Sequence, residues 1–409
     1  MVDLRNYAVV TSAYWGFTLT DGALRMLVLL HFHTLGYTPL ELASLFLLYE
    51  FFGIVTNLLA GWIGSRFGLK LTLYCGLGLQ VAALFMLSLL DPAWEKAAAI
   101  AFVIVTQGLS GIAKDLTKMS SKSAIKLVVP DGAHSMLFKW VALLTGSKNA
   151  LKGAGFFFGA SMLAEFGFTH ALWVMAGGLA AIMIASVTLL PCDMGRAKAK
   201  VKFTSILSKS RAINLLSAAR FFLFGARDVW FVVGIPIFLY EVIGWSFMEI
   251  GSFMAAWVIG YGGVQAFAPK IVNRSADGQS SEIRAAQWWA FVLAGLPVAI
   301  AVLVEAGVAP VVSVVVGLAL FGIAFAVNSS VHSYLILSFS DSDKVALNVG
   351  FYYMANAGGR LVGCLFSGLS YQMWGLSGCL LTASVMVLAA GAITIVLAGE
   401  QRGRARSEA

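Results

Sequence analysis

Hydrophobic runs of membrane length recur along the whole chain, separated by short polar breaks. Twelve can be marked, at residues 7–33, 40–64, 69–90, 97–119, 136–162, 168–190, 212–240, 248–269, 286–305, 309–337, 345–369 and 376–398. Each is near the roughly 20 residues that a helix needs to cross a bilayer. The alternating polarity of membrane-barrel strands does not occur in them. The pattern therefore predicts an all-α membrane protein with twelve transmembrane helices. The first run is long and lacks a small-residue cleavage site, so it is expected to remain as a membrane helix rather than a removed signal.

A basic, polar stretch, "CDMGRAKAKVKFTSILSKSR", interrupts the apolar pattern near the middle. It predicts an N-terminal six-helix bundle over 1–190, a cytoplasmic linker over 191–211, and a C-terminal six-helix bundle with a basic tail over 212–409. The halves resemble each other at one offset of 208 positions: "GYTPLE" (36–41) falls on "GWSFME" (244–249), Asn57 on Gln265 and Arg66 on Arg274. Lys152 falls on Arg360, Gly155 on Gly363 and Gly167 on Gly375. Parallel repeats of this kind imply a transporter of two pseudo-symmetric halves, with the substrate site expected near the midplane between them.

Composition sharpens this picture. Of 409 residues, 59% are hydrophobic and only 12% charged, against about 25% charged in a soluble protein; the mean hydropathy is +0.86. The net charge of +8 is better explained by membrane topology than by nucleic acid. With the N-terminus in the cytoplasm, 19 of the 28 Lys and Arg fall on the cytoplasmic side, one (Lys96) falls outside, and eight fall within spans. The outer loops hold Glu41, Asp91, Glu95, Glu165, Glu241, Glu249 and Glu305 instead. This asymmetry predicts an N-in/C-in orientation. Cys75, Cys192, Cys364 and Cys379 show no CxxC or metal-ligand spacing, so no metal, cofactor or thiolate grip on a thiophilic ion is expected.

The charges inside the spans carry the functional signal. The cations are Arg25, Lys114, Lys118, Lys148, Lys152, Arg220, Arg227 and Arg360; the acids are Asp21, Glu50, Asp115 and Asp228. Each charge at a helix centre costs roughly 2.5–3.5 kcal/mol on insertion scales, so it must meet a partner or a wet cavity. Even with every acid paired, four cations are in surplus, which predicts a substrate with several negative charges. Lys148 and Lys152 share a face of the fifth span with no acid nearby in sequence. Arg227 has the planar fork that suits phosphate-like oxyanions, and Asp228 is expected to point about 100° away from it. Arg360 sits among glycines in "NAGGRLVG".

Those four are the leading ligand candidates, with Arg25 and Lys114 next. Asp21, Glu50, Asp115 and Asp228 are the candidates for coupling or gating. Asp21 and Arg25, four apart, can instead form a structural pair, and Glu50 can serve as a proton carrier or as a structural hydrogen-bonding group. Arg220 is placed to snorkel toward the cytoplasm. Lys114, Lys118, Lys122 and Lys126 recur every four residues and repel one another along one helix face. That row reads as a funnel for anions, or, for its outer two members, as ordinary positive-inside charge. Asn328, Ser329, Ser330 and His332 can offer donors to a substrate or join helices. Nothing in the sequence has the metal spacing or nucleophile–base constellation of a membrane enzyme, and an anion channel remains as the other class.

Two resemblances add to this reading. "GWIGSRFGLKLTL" (61–73) resembles the major facilitator loop signature through Gly61, Gly64, Arg66, Gly68 and Lys70, although Ser65 stands where that signature has an acid. "TQGLSGIA" resembles the fourth-span signature, with Ile104 at the position of its arginine, and the fifth span lacks the Gly-Pro antiporter signature. In a narrower resemblance that spans essentially the whole chain, the blocks "YWGFTLTDGALRMLVLLHFHTLGYTP", "SGIAKDLTKMSSKSAIKLVVP", "WVALLTGSKNALKGAGFF" and "LSKSRAINLLSAARFFLFGARDVWFV" look like the ArsJ organoarsenical exporters. That resemblance implies export of 1-arseno-3-phosphoglycerate, which glyceraldehyde-3-phosphate dehydrogenase makes when arsenate replaces phosphate. The unstable ester then releases arsenate outside. It further implies a monomeric multi-pass protein of a bacterial inner membrane, linked functionally to that dehydrogenase. The other expectation is a transporter or exchanger of ordinary phosphorylated metabolites.

Overall fold

The structure is a computed structural model, and it describes residues 4–91, 93–125, 134–191, 210–271, 280–340 and 345–408. Linker residues 192–209, Lys126 and Arg274 lie outside the described residues, as do the side chains of Ser65, Arg66 and Lys122. The elements are α1 (Leu4–Thr34), α2 (Pro39–Ser44), α3 (Leu47–Ser88), α4 (Lys96–Ala124), α5 (His134–Leu189) and α6 (Arg211–Val229). A π-helical turn (Trp230–Gly234) follows, then α7 (Ile235–Glu241), α8 (Phe247–Ile271), α9 (Ser280–Glu305), α10 (Pro310–Ser338) and α11 (Val345–Glu408). Every element among the described residues is helical.

Nine segments among the described residues are long and apolar enough to cross a membrane. Two of them are double. α5 breaks at Gly167 (φ 72°, ψ 179°) and α11 at Trp374 and Gly375 (φ 61°), the two glycines taking backbone angles that a Cβ would strain. α1, 31 residues long, has a lower mean hydropathy because of its polar residues, and completes twelve. The segments read from hydropathy as second and third spans are continuous in α3. Its two parts nevertheless run in opposite directions along α4. Leu48, Tyr49, Thr56 and Asn57 meet Gly108, Gly111, Asp115 and Lys118 in rising order. Thr72, Gly76 and Gln80 meet Ser120, Ala113 with Thr117, and Ser110 in falling order. The chain therefore reverses between Asn57 and Leu69.

Helix starts repeat at the 208-residue offset. Gly36 and Gly244 both take φ 79°. After each comes a reciprocal capping box, which satisfies two N–H groups that a helix start leaves open. The Thr38 N–H donates to Glu41 Oε2 at 2.8 Å and the Glu41 N–H to Thr38 Oγ1 at 3.3 Å; the Ser246 N–H donates to Glu249 Oε2 at 2.8 Å and the Glu249 N–H to Ser246 Oγ at 3.3 Å.

The chain divides into two compact units. The first comprises Met1–Tyr37, Leu45–Phe203 and Trp245–Ile259; the second comprises Thr38–Ser44, Thr204–Gly244 and Gly260–Ala409. In the first, α1 packs along α5, around a core that includes Tyr7, Tyr14, Phe17, Leu73 and Leu77. In the second, α6 packs along α11, with Ile213, Leu216, Leu335, Tyr352 and Leu397 in a shared core. Large apolar side chains such as Trp288, Val385, Val302 and Ile184 are exposed, as lipid-facing positions require.

Candidate functional site

Each unit gathers its interior charges into one cluster. In the first, Asp21 of α1 accepts the Tyr49 hydroxyl at 2.6 Å on Oδ1 and the Lys152 ammonium at 3.4 Å on Oδ2. One turn further along α1, Arg25 Nη2 donates to Glu50 Oε1 at 3.1 Å, and its guanidinium lies over the Phe46 ring, 5.1 Å from the centroid. The Lys114 ammonium sits 3.8 Å from the centroid of the Tyr49 ring, a favourable cation–π geometry. Lys118 donates to Asn57 Oδ1 at 2.8 Å and to Asp115 Oδ1 at 3.4 Å. The Thr56 hydroxyl lies 2.6 Å from the other oxygen of Asp115. Lys148 is half-buried on α5, beside Ser147, whose hydroxyl accepts Trp15 Nε1 of α1 at 3.0 Å.

In the second unit, Asp228 lies between two guanidinium groups. Arg227 donates to its Oδ1 through Nε at 2.7 Å and through Nη2, and Arg360 Nε donates to its Oδ2 at 3.2 Å. Arg227 is further lined by the Phe224, Phe231 and Phe325 rings. Just beyond Asp228, Pro236 cannot supply the N–H that an α-helix needs, and the backbone widens into the π turn. The Val233 and Gly234 N–H groups donate to Ser367 Oγ at 3.0 and 3.2 Å.

Several expectations change on this geometry. Lys152 has an acid after all: Asp21, 131 residues away in sequence, comes to it through the packing of α1 on α5. Glu50, which has no local partner, meets Arg25 in the same way. Asp228 does not stay apart from Arg227, because the guanidinium turns sideways across the helix onto its neighbour. Arg220 does not snorkel. It is 4% exposed, and its Nη1 donates to Ser329 O and Oγ, both at 3.0 Å. Lys114 and Lys118 find separate partners on α3, which relieves their repulsion along α4. Sequence reasoning missed Tyr49, which joins Asp21 to Lys114. Its place beside Glu50 in "LLYEFFG" was the available signal.

All four interior acids are thus engaged, and all are buried. The cations paired with them remain partly open: Lys152 and Arg360 are 20% exposed, against 5% and 1% for their aspartates. The accessible side of each cluster is positive. The eight cations still exceed the four acids by four. Among the described residues no group of His, Cys, Asp or Glu is arranged to hold a metal ion.

Asp228 pairs with two cations at once, so its replacement by asparagine removes the carboxylate that Arg227 and Arg360 share. Removing one partner of a buried ion pair costs roughly 3–5 kcal/mol. Asp228→Asn is expected to melt well below the parent protein in detergent, and Asp228→Asn/Arg360→Met to recover part of the loss. An unchanged melting temperature for the single variant would show that the carboxylate is dispensable.

The family profile for the Major Facilitator Superfamily matches residues 9–304. A POT family transporter in complex with a thioalcohol-conjugated peptide is similar in structure: TM-score 0.73, 13% identity, covering 97% of this chain and 96% of that one. A point mutant of the nucleoside transporter NupG is similar with TM-score 0.68 and 15% identity, covering 97% of this chain and 98% of that one. Identities this low establish likeness of fold alone. Comparison with curated proteins finds no match.

Proposed function

Because the chain belongs to the major facilitator superfamily, we propose that it is an efflux transporter which exports 1-arseno-3-phosphoglycerate from the cytoplasm by alternating access, giving arsenate resistance. The observation that carries the reading is the surplus of four interior cations, with every interior acid already engaged. That substrate has a phosphate at one end and an arsenate ester at the other, so it offers several negative charges. The long sequence blocks resembling the ArsJ exporters direct the choice toward the arsenical.

Lys148, Lys152, Arg227 and Arg360 are the ligands in this proposal, with Arg25 and Lys114 supporting them. Asp21 and Asp228 hold Lys152 and the two arginines while no substrate is bound, which avoids leaving buried charge uncompensated. An incoming oxyanion competes with these carboxylates, and bidentate geometry favours it at Arg227 and Arg360. Exchange of partners at Asp21 and Asp228 is then the gating event, with Glu50 and Asp115 holding Arg25 and Lys118 in the same manner. The halves 1–190 and 212–409 supply the two moving bodies, with the termini cytoplasmic, in a monomer of a bacterial inner membrane. Glyceraldehyde-3-phosphate dehydrogenase supplies the cargo.

A second reading rests on the same cations, which recognise charge and shape rather than arsenic. They would equally serve a transporter or exchanger of ordinary phosphorylated metabolites. Everted membrane vesicles separate the two. Radiolabelled arsenate is expected to accumulate only when glyceraldehyde-3-phosphate, its dehydrogenase and NAD are all present. Uptake of arsenate alone, or no uptake with the complete system, sinks the arsenical substrate and leaves the organophosphate reading.

A further inference from the structure

Arg220 differs from the other cations whose partners are described above. Its guanidinium is buried on α6, bonded among the described residues only to the neutral Ser329 and covered by the Phe224 and Tyr352 rings, 3.8 and 4.9 Å from their centroids. No carboxylate among the described residues pairs with it. The acid of its own helix, Asp228, is taken by Arg227 and Arg360. An arginine cannot discard its proton to escape this situation, and aromatic faces offset only part of the cost of burying a charge. Arg220 Nε has no hydrogen-bond partner among the described residues.

Further polar groups without a partner among the described residues lie on the same two helices, next in sequence to Ser329 or one turn from Arg220. Asn328 and His332, both 1% exposed, stand one turn apart on α10 and flank Ser329. Among the described residues neither amide atom of Asn328 has a partner, nor does His332 Nδ1, and His332 is close enough for the charge of Arg220 to act on it. Ser217, three residues before Arg220 on α6, has a buried hydroxyl with no partner among the described residues. Buried groups of these kinds are ordinarily hydrogen-bonded. A permanent cation with spare N–H groups, with a hydroxyl one turn back on its own helix and an amide next in sequence to its serine partner, has the chemistry of an oxyanion site.

We infer that Arg220, with Ser217, Asn328 and His332, forms a binding group for a phosphate-class oxyanion inside the second unit, and that it takes the phosphate end of the cargo. The inference rests on the anion-transport reading but does not require arsenic. Arg227 and Arg360 exchange one anion, Asp228, for another. Arg220 gains one where no carboxylate among the described residues pairs with it.

Delipidated protein in a neutral detergent, titrated with inorganic phosphate, tests this. The parent is expected to melt at a higher temperature as phosphate is added. Arg220→Met should lose that rise and bind phosphate about tenfold or more weakly, the loss of a charge-assisted hydrogen bond. Without phosphate it should melt no lower than the parent, because loss of the Ser329 hydrogen bonds is offset by removal of a buried charge that has no counter-charge among the described residues. A variant that melts lower without phosphate yet keeps its phosphate response would assign Arg220 a purely structural role and overturn the inference. Should Arg220→Met fail to fold, Asn328→Leu decides. Weakened phosphate binding at an unchanged or raised melting temperature supports the site, and undiminished binding overturns it. Stabilisation by phosphatidylglycerol in nanodiscs with no response to free phosphate would make the ligand a lipid head group, against the inference. A phosphate response that depends on Arg220, in a protein whose vesicles fail to take up the arseno-ester, keeps this site and removes only the arsenical cargo.

Discussion

Replacing Arg360 or Lys152 by glutamine is expected to abolish accumulation of the arseno-ester in everted vesicles while the protein still inserts in the membrane. Both side chains present the partly open, positive side of an ion pair whose acid is closed in. Truncating one partner of a buried, hydrogen-bonded charge pair costs roughly 2–5 kcal/mol, which is tens- to thousands-fold in affinity for the anion that takes the place of the aspartate. The fold should survive, since each aspartate keeps other partners. Asp228 retains Arg227. Asp21 retains the Tyr49 hydroxyl and lies within electrostatic reach of Lys114 and Arg25. Vesicle uptake scaled to the amount of membrane-inserted protein is the measurement. Normal uptake by either variant removes that residue from the site.

The other large effect concerns packing. Each unit carries a pair of glycines four apart on its fifth span, Gly155 and Gly159 on α5 and Gly359 and Gly363 on α11. They lie directly against the backbone of the first span, the close approach that small residues allow between membrane helices. A Cβ at Gly159 would lie 2.2 Å from Ala23 O, and one at Gly359 only 2.0 Å from Phe221 O. No rotamer relieves a collision with a carbonyl, so the helices must separate. Gly159→Val and Gly359→Val are expected to accumulate poorly and to melt early, losing at least the roughly 1–3 kcal/mol typical of overpacking. Gly177→Ala and Gly178→Ala are the controls, since nothing lies within 4 Å of an added Cβ at either position. Equal abundance and melting for all four variants would sink this account. Separation here would also carry Lys152 and Arg360 away from Asp21 and Asp228, so the packing and the charge pairing are one arrangement.

How the charges pair was the least legible part. Lys152 and Asp21 are 131 residues apart and Arg360 and Asp228 are 132 apart, separations at which no spacing rule applies. Reading along the chain finds no acid near Lys152 in sequence and turns Asp228 away from Arg227, yet both cations pair. The first needed a contact between helices, and the second a long side chain that bends across its own helix. Arg220 shows the same limit from the other side. Its position in the cytoplasmic third of the span read over 212–240 suggests a snorkelling end, but it sits at the middle of α6 and is buried against Ser329 of α10.

The existence and order of the spans, by contrast, were legible, although α9 begins six residues before the span read there, α11 ends ten residues beyond its own, and the second and third spans are continuous in α3. The bilayer acts on each segment separately, demanding length and apolarity that can be counted along the chain. The capping boxes at Thr38–Glu41 and Ser246–Glu249 and the left-handed glycines are local too, because each closes its hydrogen bonds within a few residues. The excess of interior cations over acids was likewise a matter of counting. Only the tertiary structure decided which of those cations has a counter-charge, since that depends on which helix faces meet and how closely glycines let them approach.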